Sequence, residues 1–97
     1  MPKAYWIATY RTINDPTKMT RYGALAAPAI VAGGGKFLAR GEAVQVYEAG
    51  IKARTVLIEF PSVAAATATH DSQAYQEALA ALDGGAEREI RIVEGAE

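Results

Sequence analysis

The shortage of bulky apolar side chains is the feature of this sequence that most constrains its fold. Hydrophobic residues make up 51% of the 97 residues, but 21 of these 49 are alanine, so only 28 are large enough to fill an interior. By area scaling, a chain of 10.3 kDa exposes about 5,400 Å² when folded and buries roughly 64% of its unfolded surface. A monomer of this kind is marginal, and we expect a second copy to complete the core as a symmetric homodimer.

Charge and cysteine content exclude several classes of protein. Ten Lys and Arg residues against 11 Asp and Glu residues give a net charge of −1, so nucleic acid is not expected as a partner. The chain has no cysteine, which excludes disulfides and thiolate metal centres and fits a reducing compartment. The first residues lack the pattern of a signal peptide, and no window approaches about 18 consecutive apolar residues. We therefore expect a cytoplasmic protein without membrane association.

The periodicity of apolar residues predicts seven or eight elements, with period two for strands and about 3.6 for helices. Asp15, Ser62 and Ser72 have the residue types of helix N-caps. The predicted elements are a strand over residues 3–13, a helix over 16–32, a strand over 36–40, an extended segment over 43–47, a strand over 54–60, helices over 63–69 and 73–82, and a strand over 89–94.

Two parts of this pattern are ambiguous. Pro28 lies inside the first helical pattern and predicts a kink or break near Ala27, because proline removes a helix hydrogen bond. The segment over residues 43–47 either continues the preceding strand past a bulge or forms a separate strand. The glycines at 33–35 run from a helix into a strand, which predicts a turn and not a phosphate-binding loop.

The order β-α-β-β-(α-α)-β is the split βαβ pattern of ferredoxin-like folds in the α+β class. We expect residues 1–97 to form a single domain, with one four-stranded antiparallel sheet covered by helices on one face. The other face would be bare and partly apolar. This predicts face-to-face association of two copies into a dimeric α/β barrel, with a pocket beside the interface.

Short strings spread along essentially the whole chain form a recognisable set. They are Tyr5-Trp6-Ile7-Ala8, Asp15-Pro16 with Tyr22, Pro28 before Gly34-Gly35, Phe37-Leu38-Ala39-Arg40-Gly41, Glu59-Phe60-Pro61-Ser62, Asp71-Ser72 with Tyr75-Gln76, and Ile92-Val93-Glu94-Gly95. Together they resemble the domain of unknown function (DUF) 1330 family. The resemblance implies the dimeric α/β-barrel superfamily and a bacterial source, but no particular reaction. Superfamily relatives include cofactor-free monooxygenases, lactone isomerases and haem proteins. His70 departs from the pattern, since such sequences more often carry an aromatic residue there.

Arg40 and Glu59 are the first candidate site residues. If the strands over residues 36–40 and 54–60 alternate regularly, both side chains point toward the bare face, where opposite charges on neighbouring strands can meet. One interpretation is a structural ion pair that fixes the sheet register. The other is a ligand site, in which Arg40 binds a carboxylate or enolate and Glu59 acts as an acceptor or base.

His70 is the only histidine in the chain. Its position beside Asp71 at a helix end predicts a capping residue, because an imidazolium is favoured by the C-terminal helix dipole. A general base or a haem ligand is the functional alternative. A metal site is not expected, since no second ligand stands at the next helical turn.

Five aromatic residues are candidates for core, interface or a ligand-binding wall. Strand alternation sends either Tyr5 or the pair Trp6 and Tyr10 to the bare face, and Tyr75 is a further donor near the start of a helix. The ligand-binding candidates are Tyr5, Trp6, Tyr10, Tyr47 and Tyr75.

Together these features predict a homodimer that binds a small organic molecule. Catalysis would need no cofactor and would be of monooxygenase or isomerase type, with Arg40, Glu59 and His70 as the candidate catalytic residues. The alternative is a non-catalytic structural or interaction module whose sheet face is only a dimer interface.

Overall fold

The computed structural model describes residues 2–96 and has the predicted order of elements. The strands form one antiparallel four-stranded sheet in the order β2-β3-β1-β4. The predicted final strand begins earlier than residue 89. The elements are β1 (Ala4–Ile13), α1 (Pro16–Ala32), β2 (Lys36–Glu42), β3 (Arg54–Phe60), α2 (Val63–Asp71), α3 (Gln73–Leu82) and β4 (Ala86–Glu94).

Capping residues begin the helices where the sequence predicts. The Asp15 carboxylate accepts hydrogen bonds from the backbone N–H groups of Thr17 and Lys18 at 3.0 and 3.2 Å. Ser62 and Ser72 cap α2 and α3 in the same way. These bonds satisfy N–H groups that have no partner within a helix, which explains why the boundaries follow local sequence. No helix within residues 2–96 is long and apolar enough to span a bilayer.

Helix α1 continues through Pro28 to its last residue, so the break near Ala27 is wrong, while the alternative of a kink there stays a prediction. Pro28 has no N–H to donate to the carbonyl of Ala24. Both residues lie on the exposed side of the helix, where water can bond to that carbonyl. The opposite side carries a buried stripe at helical spacing, which includes Tyr22, Ala26 and Ile30.

The chain leaves the sheet after Glu42, so the predicted extended segment over residues 43–47 is wrong. β2 is an edge strand, and β3 pairs with it only as far as Glu42, so the following residues have no strand to bond to. The N–H of Ala43 donates to the carbonyl of Ala53 at 2.9 Å and closes a loop over residues 43–53. This loop exposes the large apolar side chains of Val44, Tyr47 and Ile51.

The core lies between the sheet and the helices. Trp6, Phe60 and Tyr75 are among its largest fully buried side chains. The Trp6 ring stacks on Phe60 with 6.0 Å between centroids and meets the Tyr75 ring edge-on at 5.0 Å. Ile90 and Ile92 pack against this core, as their alternation in the sequence predicts. Aromatic packing thus compensates for the many alanines.

The sheet face turned away from the helices, here called the bare face, is largely uncovered in residues 2–96. The molecule is only 16 Å thick along its shortest axis, the depth of two layers. It exposes 5997 Å², compared with about 5,400 Å² expected for a monomer of this mass. The apolar side chains of the bare face belong to Tyr5, Ile7, Leu57 and Val93.

Candidate functional site

The register of the sheet arranges polar and aromatic side chains in rows on the helix side. Strand β1 lies between β3 and β4, so each row crosses several strands. The row at one end contains two arginines that flank a tyrosine, with Glu42 at the edge of the sheet; the next row contains one further arginine, and the row after it is apolar. In order, the rows are Glu42, Arg54, Tyr10 and Arg88; then Arg40, Val56, Ala8 and Ile90; then Phe37, Ile58, Trp6 and Ile92.

Arg88 is surrounded by three tyrosines, and we call these four residues the tyrosine–arginine cluster. Nη1 of Arg88 donates to the hydroxyl oxygens of Tyr10 and Tyr22 at 2.8 and 3.0 Å, and Nη2 donates to that of Tyr75 at 3.3 Å. The hydroxyls of Tyr22 and Tyr75 are 2.7 Å apart and share a further hydrogen bond. The tyrosines belong to β1, α1 and α3, so Arg88 joins the sheet to two helices.

The cluster holds Tyr10 and Tyr75 in the neutral form. Burial raises the pKa of Tyr10 and, more strongly, the pKa of Tyr75, and the charge of Arg88 offsets part of this increase. Burial alone would lower the pKa of Arg88, but the tyrosine oxygens, that of Tyr22 foremost, more than offset this and raise it. At neutral pH Arg88 is therefore charged, and the hydroxyls of Tyr10 and Tyr75 act only through hydrogen bonds.

We expect this arrangement to make the fold unstable in alkali. Unfolded tyrosines ionise near pH 10.0, whereas folded Tyr10 and Tyr75 hold their protons to higher pH. Their contribution is therefore fully present below about pH 10 and is lost as the pH rises from there through the folded pKa values. Urea midpoints should fall between about pH 8 and 11, and Tyr75→Phe should reduce this fall. The exposed Tyr47→Phe is the control, and an equal fall in all three proteins would contradict the expectation.

Arg40 and Arg54 lie beside the cluster without a carboxylate partner. The Arg40 guanidinium lies over the Phe37 ring, 4.4 Å from its centroid. Nε of Arg54 is buried and has no hydrogen-bond partner within residues 2–96. In the same residues, no carboxylate oxygen lies within 4.0 Å of a nitrogen of Arg40, Arg54 or Arg88. Since buried donors nearly always have an acceptor, the Nε–H of Arg54 is a donor available to an oxygen of a ligand.

The three arginines line a cavity of about 50 Å³ between the sheet and α1, here called the arginine cavity. The cavity exists because small residues face one another there. Ala8 lies in the sheet, and Gly23 and Ala26 lie opposite on α1. Its volume suits a few water molecules or one carboxylate group, whereas drug-sized ligands need about 300 Å³ or more.

The predicted pair of Arg40 and Glu59 is wrong, because the two side chains lie on opposite faces of the sheet. The register of β2 against β3 shifts between Phe37 and Ala39, which reverses the alternation of β2 from that point. Arg40 therefore turns to the helix side, opposite Val56. Glu59 lies on the bare face, where Nζ of Lys3 donates to its carboxylate at 3.5 Å.

The aromatic candidates are divided between the two faces. Trp6 and Tyr10 line the arginine cavity, and Tyr75 reaches the same region through its bond to Arg88. Tyr5 lies on the bare face, opposite Glu59. Of the two alternatives for β1, the pair Trp6 and Tyr10 therefore faces the helices, and Tyr5 faces away from them. Tyr47 is 77% exposed in the loop over residues 43–53 and is not among the residues that line the cavity.

His70 is half-buried in the last turn of α2 and does not line the arginine cavity. Its ring centroid lies 5.7 Å from that of Trp6 and 5.3 Å from that of Tyr75. Nδ1 is 3.0 Å from Oδ1 of Asp71. The position at a helix end fits the capping interpretation, while the roles of base and haem ligand stay predictions. Within residues 2–96, no group of three His, Asp or Glu side chains could hold a metal ion.

Sequence reasoning missed Arg54, Arg88 and Tyr22 as site residues. A signal for one of them was present, because Arg88 alternates in phase with Ile90 and Ile92 and so belongs to the apolar side of its strand. A charged residue on that side needs partners within the fold. Tyr22 was predicted to be buried, but nothing local indicated that its hydroxyl would meet an arginine from β4.

Comparison with known proteins places this architecture in a known group of folds. The model of a family described as "Domain of unknown function (DUF1330)" matches residues 3–96. No curated protein matches the chain. The family match agrees with the resemblance carried by the short strings along the sequence.

Several solved structures share the fold at low identity. A protein of unknown function from Rhodopseudomonas palustris has a TM-score of 0.76 and 16% identity, with 99% of this chain and 84% of that chain covered. SnoaB, a cofactor-independent oxygenase from Streptomyces nogalater, has a TM-score of 0.67 and 12% identity, with 100% of this chain and 96% of that chain covered. A dimeric ferredoxin-like protein of unknown function from Thermobifida fusca has a TM-score of 0.64 and 16% identity, with 96% of this chain and 91% of that chain covered. These likenesses confirm the predicted ferredoxin-like fold.

Proposed function

Because the chain belongs to the DUF1330 family, whose function is unknown, its role has to be inferred from its own site, and we propose that it binds a small organic carboxylate or enolate in the arginine cavity. One observation carries this proposal. Arg40, Arg54 and Arg88 converge on one cavity, and within residues 2–96 no carboxylate oxygen lies within 4.0 Å of their nitrogens, Glu42 opposite Arg54 included. Guanidinium groups bind carboxylates through two parallel hydrogen bonds, which makes such a ligand the natural partner.

The buried Nε of Arg54 supports an anionic ligand more specifically. A donor that is withdrawn from water without an acceptor is unfavourable, and an oxygen of the ligand would supply the acceptor. Arg88 already donates to three neutral hydroxyls, so it contributes its charge and a fixed orientation. Arg40 lies at the exposed edge of the cavity, where it can move to meet the ligand.

The same geometry supports an enzyme that needs no cofactor. Negative charge that develops on a carbonyl oxygen when an enolate forms would be stabilised by the positive groups already in place. The residues that line the cavity include no Asp, Glu or His in the part of the chain described, so the substrate would itself have to be acidic. SnoaB, whose fold is similar, is a cofactor-independent oxygenase, and chemistry of that oxygenase type or an isomerisation is our proposal for the reaction.

Binding can be tested with benzoate and its neutral isostere benzamide, titrated into labelled protein and followed by amide chemical shifts. We expect benzoate to perturb residues around the cavity and benzamide to bind at least about 10-fold more weakly, because it lacks the charge. Arg54→Met should weaken benzoate binding roughly 10- to 100-fold, the effect of losing hydrogen bonds to a charged group. Arg91→Met is the matched control, since Arg91 lies on the other face with a 74% exposed side chain.

Equal binding of benzoate and benzamide would contradict an anion site, as would unchanged affinity in Arg54→Met. If no carboxylate binds and the protein is a stable dimer, the alternative of a non-catalytic interaction module is the better description. The small volume of the cavity is the observation that keeps this alternative in view.

We further propose that the chain is a homodimer that pairs through the bare face. This face carries apolar side chains that one layer of helices cannot cover, and the molecule exposes more surface than its mass predicts. The protein of similar fold from Thermobifida fusca is described as dimeric. A symmetric interface on this face would leave the arginine cavity of each copy accessible, because the cavity lies on the helix side.

A further inference from the structure

Gly23 is the one glycine among the residues that line the arginine cavity. It lies inside α1, where glycine weakens a helix relative to alanine because it gives up more backbone freedom on folding. A glycine at such a position usually has a positive φ or makes a close contact. Gly23 has neither, because its φ is not positive and a Cβ built on it would meet no heavy atom within 4 Å.

The space left by Gly23 lies beside the arginines. Gly23 and Ala27 are one turn apart on the flank of α1 that lines the cavity, next to the buried stripe. Across the cavity, β2 contributes Phe37 and Arg40. The cavity itself has room for little more than a carboxylate group, so the rest of a larger ligand has to extend through open space at its edge. The small side chains on α1 provide that space.

We infer that Gly23 sets the size of the organic group that the site accepts, and that the ligand is an aryl carboxylate. Its carboxylate lies between the arginines, and its ring passes over Gly23 toward the Phe37 ring and the Arg40 guanidinium that lies over it. This inference rests on the proposed function, because it concerns the same site. It adds the class of ligand and a residue that decides which members of that class fit.

The test compares acetate, which needs only the cavity, with benzoate, whose ring would pass over position 23. Gly23→Leu should weaken benzoate binding roughly 10-fold or more through steric overlap with the ring and should weaken acetate binding less, and Gly23→Ala should have a smaller effect in the same direction. Both variants should keep or raise the urea midpoint, since both residues favour a helix over glycine. Loss of affinity therefore cannot be explained by unfolding.

Gly41→Ala is the matched control. Gly41 lies in β2 opposite Thr55, has similarly open space around an added Cβ, and does not line the cavity. If the unaltered protein binds neither acetate nor benzoate, the proposed function is wrong. If it binds both and Gly23→Leu keeps its benzoate affinity, or loses acetate to the same extent, the role of Gly23 in ligand size is wrong while the anion site stands.

Discussion

Replacing Arg88 with methionine is expected to lower the free energy of unfolding by about 2–4 kcal/mol and to remove anion binding. The guanidinium donates to hydroxyls on β1, α1 and α3, and hydrogen bonds to a charged group contribute about 1.5–3 kcal/mol each when counted alone. Their effects are not additive, because Tyr22 and Tyr75 keep the bond between their hydroxyls after the change. For a small domain, a loss of this size is a large fraction of the total stability.

Urea denaturation measures the stability effect, and the benzoate titration measures binding. Arg21→Met, on the exposed side of α1 and outside the cavity lining, should change the free energy of unfolding by less than about 0.5 kcal/mol, since exposed surface substitutions have small effects. Arg88→Lys keeps the charge, but a lysine cannot reach three oxygens as the planar guanidinium does. Its free energy of unfolding should therefore lie between that of Arg88→Met and that of the unaltered protein. An Arg88→Met variant as stable as the original protein would contradict a structural role for the cluster.

Replacing Leu57 with glutamate should convert the proposed dimer into a monomer. Leu57 lies near the middle of the bare face on β3, opposite Ile7 of β1. A symmetric interface would bury two copies of the new carboxylate without a partner, so the dissociation constant should rise at least about 100-fold. Light scattering at micromolar concentration should then give a mass near 10.3 kDa in place of twice that value.

The matched control for this change is Leu25→Glu on α1. Leu25 is 45% exposed on the outer side of the helix, away from the sheet, so its replacement should leave the mass of the dimer unchanged. A monomeric mass for the unaltered protein would refute the dimer proposal. A dimer that survives Leu57→Glu would place the interface on a different surface.

The proposed dimer interface and the arginine cavity lie on opposite faces of the sheet, whereas the sequence predicts a pocket beside the interface. The sequence predicts this pocket because regular alternation of side chains along β2 and β3 would place Arg40 and Glu59 on the bare face. In the structure, the arginines lie under α1. Monomeric Leu57→Glu should therefore retain benzoate binding, provided that the separated chain stays folded.

Most boundaries in this fold can be predicted because they depend on neighbours in sequence. Asp15 and Ser72 begin helices through hydrogen bonds to residues two or three positions away. The alternation of Ile90 and Ile92 indicates which face of β4 is buried. The continuity of α1 at Pro28 was harder to predict, because it depends on which side of the helix meets water.

The candidate site was less predictable because its parts are distant in sequence. Arg40 lies on the helix side and not on the predicted bare face, because the register of β2 shifts against β3. Such a shift depends on how the two strands pair, which the sequence of one strand does not show. Arg88 meets Tyr22 from 66 positions away, and nothing local to either residue specifies that contact.

The sequence by itself determined the order of elements, the helix caps, the buried stripes and the shortage of large side chains, because these follow from short-range periodicity and composition. Only the tertiary structure decided that small residues of β1 and α1 face one another and leave a cavity, and that three arginines converge on it. The physical reason is that registers and crossings are set by packing across the whole sheet, so one shifted residue in an edge strand moves a charge from one face to the other.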